Sequence, residues 1–166
     1  MSTHQTEGWG CNDVGNKDRF VKQFGSRMRS IIEDGRWVAW DGSRWKENQG
    51  KAYARAELIA KGIYREAAEC TDSKGRIDLG RWAEKSQSRG QLENMLKLAA
   101  ENLGVSVNDF DNDPVSINCK NGLVNLRTKE LIPHSSTQLV MKRTIVNYDP
   151  EAVCPRWLEF LHEVFD

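Results

Sequence analysis

Three carboxylates alternate in Asp109-Phe-Asp111-Asn-Asp113, and acids so spaced can hold a divalent ion for nucleotidyl transfer, as the paired aspartates of primases and polymerases do. Read as a calcium loop, the run needs glycine at its sixth place and glutamate at its twelfth, where this chain has Pro114 and Lys120. Read as a primase metal pair, the aspartates should close a continuous apolar strand. Instead they stand in a polar stretch before a proline, which predicts a solvated loop whose side chains bond neighbouring backbone groups. The sequence has no GxxxxGK(S/T) phosphate loop, no GxGxxG, no HExxH and no GxSxG. Cys11, Cys70, Cys119 and Cys154 lie far apart, as do His4, His134 and His162, so no zinc or disulfide spacing emerges. His134 and His162 read as surface residues, and no metal or other cofactor is expected.

Phosphate chemistry is better represented. Residues 74–89 hold Lys74, Arg76, Arg81, Lys85 and Arg89 against Asp78 and Glu84, and Arg81, Lys85 and Arg89 recur every four residues, as one helix face does. Trp37, Trp40 and Trp45 offer rings for stacking on single-stranded bases, at about 1–3 kcal/mol per stack, with Arg36, Arg44 and Lys46 beside them for phosphates. The competing readings are an ordinary wet helix face and tryptophans packed in a core. If Asp41-Gly42 is a two-residue turn, Trp40 pairs with Ser43 and Val38 with Trp45. Val38, Trp40 and Trp45 then share a buried face, and Trp37 is left as the exposed ring. From Asp149 onward five acids face Arg156 alone, so the molecule is polarised and suited to docking on a neighbour.

These residues need elements to position them. Asn12 or Asp13 caps a short helix carrying Phe20, Val21 and Phe24, which stops at Gly25. Asp34-Gly35 and Asp41-Gly42 punctuate a three-stranded meander. Ala56, Ile59, Ile63, Ala67 and Cys70 mark an amphipathic helix from about Ala52 that ends at Asp72-Ser73-Lys74-Gly75. A second helical stretch runs from about Asp78 to Leu103, broken near Ser88-Arg89-Gly90, where Ser88 and Gln91 form a capping-box pattern. After Gly104 an Asn121-Gly122 turn pairs Cys119 with Val124 and Ile117 with Leu126. Further strands follow near 130–132 and 139–146, and Pro155 opens a last helix with Trp157, Phe160, Leu161 and Val164.

The whole is 166 residues with 24 Lys+Arg against 24 Asp+Glu and 39% hydrophobic residues, which argues for a folded chain and against a nucleic-acid wrapper driven by bulk charge. The expected fold class is α+β, with short antiparallel meanders packed against amphipathic helices. Residues 1–11 read as a loose tail and 12–166 as one domain, with sub-lobes 12–104 and 105–166. Neither a secretory signal pattern nor a membrane-length apolar run is present, so no membrane contact is expected and a reducing, cytoplasmic setting is.

Five pieces in order resemble a known family: Asn12-Asp-Val-Gly-Asn16 with Arg19-Phe20; Trp37-Val-Ala-Trp40-Asp-Gly-Ser-Arg-Trp45; Asn118-Cys-Lys-Asn121-Gly122-Leu-Val-Asn-Leu126; His134; and Tyr148-Asp-Pro with Cys154-Pro155-Arg-Trp157. Together with the helix from Ser86 to Ala99 they resemble the poxvirus-type (D5-like) amino-terminal domain of phage and plasmid primase-helicases, over about Asn12 to Phe165. The resemblance implies a non-catalytic collar next to a superfamily 3 AAA+ helicase. Its implied partners are that helicase domain in cis or trans, single- or double-stranded DNA, and further copies of itself, in the cytoplasm of a bacterial host. It also implies a fragment or remnant that does not hydrolyse ATP, and it carries over no catalytic residue. The alternatives are a protein-protein interaction module without DNA contact and, more remotely, a metal-dependent primase or nuclease using Asp109 and Asp111. One departure falls after Leu126, where relatives read Arg-Thr-Gly-Glu-Leu and this chain has Lys129 in the glycine place. Lys129 must take up the glycine conformation or the turn must change.

Overall fold

The computed structural model describes residues 9–165, so the expected loose tail lies outside the described residues as far as residue 8. Helix α1 spans Asp13–Phe24, begun by Asn12, whose side chain accepts the Gly15 N–H at 2.8 Å. Strands β1 (Met28–Ile31), β2 (Trp37–Trp40) and β3 (Trp45–Glu47) form the expected meander. Helices α2 (Gln49–Glu69), α3 (Ser73–Ser86) and α4 (Arg89–Leu103) follow, and β4 (Gly104–Val105) returns to lie parallel to β1. That gives one sheet in the order β3-β2-β1-β4. A second, antiparallel sheet holds β5 (Ser116–Cys119), β6 (Gly122–Asn125) and β7 (Leu131–Ile132), and α5 (Pro155–Phe165) ends the described chain. The fold class is α+β, as expected. No helix among the described residues is long and apolar enough to cross a membrane.

The first sheet is covered on both sides, which the sequence pattern did not disclose. Met28, Trp37 and Ala39 face α1, α2 and α4 and pack on Phe20, Phe24, Ala56, Ile59, Met95 and Ala99. Ile31, Val38 and Trp45 face the other way, onto Phe110 with Leu139 and Met141. Trp37 is therefore only 3% exposed, and its reading as an exposed stacking ring is overturned. Alternation assigned its face correctly, but that face lies under helices instead of water.

Several boundaries move for local reasons. Asn48 caps α2, which starts at Gln49, three residues before Ala52, and accepts the Lys51 N–H at 2.9 Å. Asp72 does not simply end a helix: its carboxylate accepts the Gly75 N–H and starts α3 at Ser73. Ser88 has extended backbone at the start of α4 but makes no side-chain cap bond, so the capping box does not close. The two hairpins differ from expectation by two residues in register, with Trp40 opposite Trp45 and Cys119 opposite Gly122. A shift of two preserves which residues share a face. Gly122 (φ +155) must be glycine, since a Cβ there would stand 2.5 Å from the Ile132 carbonyl oxygen. Lys129 does adopt the glycine conformation, at φ +61.

The strand expected over 139–146 is instead an irregular strap. It divides its backbone bonds among separate elements: the Trp45 N–H donates to the Val140 carbonyl and the Asp111 N–H to that of Leu139, while the Thr144 N–H donates to the Asn118 carbonyl. No single ladder can form when the partners differ. His134, expected at the surface, is half-buried, with Nε2 2.9 Å from Asn118 Oδ1 and 3.0 Å from the Cys119 carbonyl oxygen.

Candidate nucleic-acid interface

The hairpin loop between β2 and β3 is organised around Asp41. Its Oδ1 accepts the N–H and hydroxyl of Ser43 and the N–H of Arg44, at 2.8–3.0 Å. Its Oδ2 lies 3.3 Å from Lys46 Nζ and 3.8 Å from Arg44 Nε. Partial burial works against the charged carboxylate, but the Ser43, Arg44 and Lys46 bonds outweigh it and bring the pKa down to about 2. Gly42, at φ +106, supplies the left-handed residue that the loop requires.

From this loop the contacts run to the second sheet and to the strap. Asn118, 6% exposed, donates to the Ser43 carbonyl and to that of Lys142, both at 3.0 Å. Arg143 donates to the Ser43 hydroxyl at 2.5 Å, Arg44 to the Met141 carbonyl at 3.5 Å, and the Trp45 indole N–H to the Gln138 carbonyl at 3.2 Å. The loop is thus the joint between the two sheets. Its cations are largely spoken for: Arg44 and Lys46 share Asp41, and Arg36 bonds both Asp34 (2.6 Å) and Glu47 (2.8 Å). Those two bonds raise the Arg36 pKa, and the Arg36 backbone N–H, which also donates to Asp34, together with the guanidinium bond holds Asp34 below its ordinary range.

The second basic group stands differently. Arg81 and Lys85 project from α3 into solvent, while Arg89 opens α4 after the helix break, so the expected stripe crosses two helices. Arg89 pairs with Glu93 at 2.8 Å, which raises its pKa. Lys85 Nζ lies 5.3 Å from the Trp82 ring centre, a contact that leaves its charge available. Trp82 is pinned from beneath by a buried network: its indole N–H donates to Asn16 Oδ1, and Asn16 Nδ2 donates to the Ser86 hydroxyl, both at 2.9 Å. A rigid floor therefore presents the α3 cations.

The carboxylates of the 109–113 run are engaged in backbone bonding. Asp109 closes a capping box with Ser106, Asp111 Oδ1 accepts the Met141 and Lys142 N–H groups, and Asp113 accepts from Val115 and Ser116. With Lys142 and Arg143 among others, they line an open groove of about 670 Å³. No group of three or more potential metal ligands occurs among the described residues.

Trp40 was assigned to the buried face, and the structure leaves it only half-buried, 5.8 Å from the Trp45 ring centre. Continuing the β1–β2 register places Arg27 and Arg29 on its face. The alternation Arg27, Arg29, Ile31 is the signal in the sequence for this face, and the loop cations Arg36, Arg44 and Lys46 lie nearer the tryptophans in sequence.

A family model described as D5 N terminal like matches residues 17–166 of the chain. No curated protein matches it.

Proposed function

Because the chain belongs to the D5 N-terminal-like family, whose members are amino-terminal domains of primase-helicase type proteins, we propose that it is a non-catalytic accessory domain of a phage or plasmid replicative primase-helicase. It helps organise the helicase ring and guides DNA toward it, breaking no bonds itself, and an AAA+ helicase domain in cis or trans supplies the ATPase. The family match over residues 17–166 is the observation that carries this reading. The solvent-facing Arg81 and Lys85 on a braced helix support the DNA contact, since phosphate binding gains from releasing counterions and should weaken steeply with salt.

The test is a titration of labelled single-stranded DNA against the chain and a variant carrying Arg81→Ala, Lys85→Ala and Arg89→Ala. The slope of log affinity against log salt should shrink by up to about 2 for three lost contacts, Arg89 contributing least because Glu93 already holds it. Equal binding by both proteins removes the stripe from the reading.

One observation favours a second reading, a protein-protein module. Helix α5 has no buried residue, and Trp157, Phe160 and Val164 are 55%, 48% and 55% exposed on one side of it. Self-association at rising concentration, measured by sedimentation together with indifference to oligonucleotides, would select that reading.

A further inference from the structure

We propose that the Arg27–Trp40 end of the strap-side face of the first sheet, where Trp40 stays half-exposed, carries a base-stacking seat for single-stranded nucleic acid, centred on Trp40 and flanked by Arg27, Arg29 and Arg143. This rests on the reading that the domain touches DNA, and it names a surface separate from the α3 stripe.

The register sets out the seat. Met28 stands opposite Ala39, so the next residues outward, Arg27 and Trp40, stand opposite each other, and the Trp40 N–H donates to the Arg27 carbonyl at 3.0 Å. Arg29 is one step along the same face, opposite Val38, and its guanidinium lies 5.3 Å from the Trp45 ring centre. It is tied there by bonds to the Gly25 and Met28 carbonyls. Burial lowers the pKa of Arg29 somewhat, which marks a poorly solvated cation beside aromatic rings. The strap brings Arg143 to the Ser43 hydroxyl, just past the end of β2.

Beneath these cations, Trp45 is fully buried and held by the Gln138 carbonyl, so it serves as the rigid support against which Trp40 leans. Trp40 is the ring on this face that remains partly open to solvent. The nearby carboxylates do not cancel the arginines: Asp41 is taken by Arg44 and Lys46, and Glu47 by Arg36. Arg27 is exposed, and no carboxylate among the described residues pairs with it.

An immobilised, half-open indole among arginines suits a base whose face is free and whose phosphates lie to either side. A duplex keeps its base faces stacked inside, so the seat discriminates in favour of single strands.

The experiment uses an oligothymidylate carrying fluorescein and, at internal positions, iodouracil. Binding is followed by anisotropy, and photocrosslinked peptides are then sequenced. Adducts are expected in the tryptic peptide 37–44, within which Trp37 is buried and Trp40 is accessible. Trp40→Ala should weaken binding roughly 5- to 150-fold, the equivalent of one lost stack. Arg27→Ala, at an exposed site whose side chain the fold does not need, should lower the salt slope by about 0.7 and so decides the matter even if Trp40→Ala fails to fold. Adducts confined to α3, with wild-type affinity and slope in Arg27→Ala, overturn the seat and leave the proposed function standing. Absence of any binding by the unaltered chain overturns both the seat and the DNA contact of the proposed function.

Discussion

The Asp41 to Lys46 loop and the Arg81 to Arg89 turn carry cations at the same density, one residue in three, yet the fold uses them in opposite ways. In the loop, Asp41 gathers Arg44 and Lys46 inward, Ser43 ties the assembly to the second sheet through Asn118, and Trp45 ties it to the strap through Gln138. On α3, Asn16, Trp82 and Ser86 take the inward role, and Arg81 and Lys85 are left in water. The lesson is that formal charge in a stretch of sequence predicts surface potential only where no carboxylate lies within a few ångströms to absorb it. The loop is a structural joint and the α3 face is a surface.

If so, the two regions respond differently to substitution. The largest effect should come from Trp45→Ala, which empties a fully buried site and removes the indole bond to Gln138; chemical denaturation should show a loss of about 3–5 kcal/mol. A loss under about 1 kcal/mol would end the description of this loop as a joint. Next is Asn118→Ala, which removes the donor to the Ser43 and Lys142 carbonyls and leaves His134 Nε2 with the Cys119 carbonyl alone, and should cost about 1–3 kcal/mol.

Acid should find the same joint. The folded pKa of Asp41, about 2, lies below the value expected in the unfolded chain, so its contribution is complete above that unfolded value and disappears as pH falls toward 2. Discounted for solvent screening of a partly exposed carboxylate it amounts to about 1 kcal/mol, and Asp41→Asn should flatten the fall in stability between about pH 4 and pH 2. Identical acid profiles for the two proteins would place the stabilising bonds elsewhere. The smallest effect belongs to α3: Arg81→Ala with Lys85→Ala should move stability by less than about 1 kcal/mol in the same denaturation experiment, Lys85 contributing through its contact with Trp82. A larger loss would mean that these cations are structural too.

Much of this architecture was legible from local signals. Asn12 and Gly25 bracket α1, the Asp-Gly pairs mark the meander, and the alanine and isoleucine period marks α2, because caps, turns and amphipathic faces are decided by neighbours within a few residues. At Lys129 the sequence left two outcomes open, the glycine conformation or a changed turn, and the structure takes the first, at φ +61. The site was less legible. Trp37 and Trp40 were assigned opposite faces correctly and opposite exposures wrongly, because exposure depends on what arrives from α1, α2 and α4 on one side and from residues 137–144 on the other.

Periodicity in this chain therefore determined which side chains stand together, through backbone geometry that acts over two to four residues. Only the tertiary structure decided which of those faces meets water and which cations keep their charge. Both depend on contacts between residues up to about a hundred positions apart, such as Ser43 with Arg143, and no local pattern encodes them.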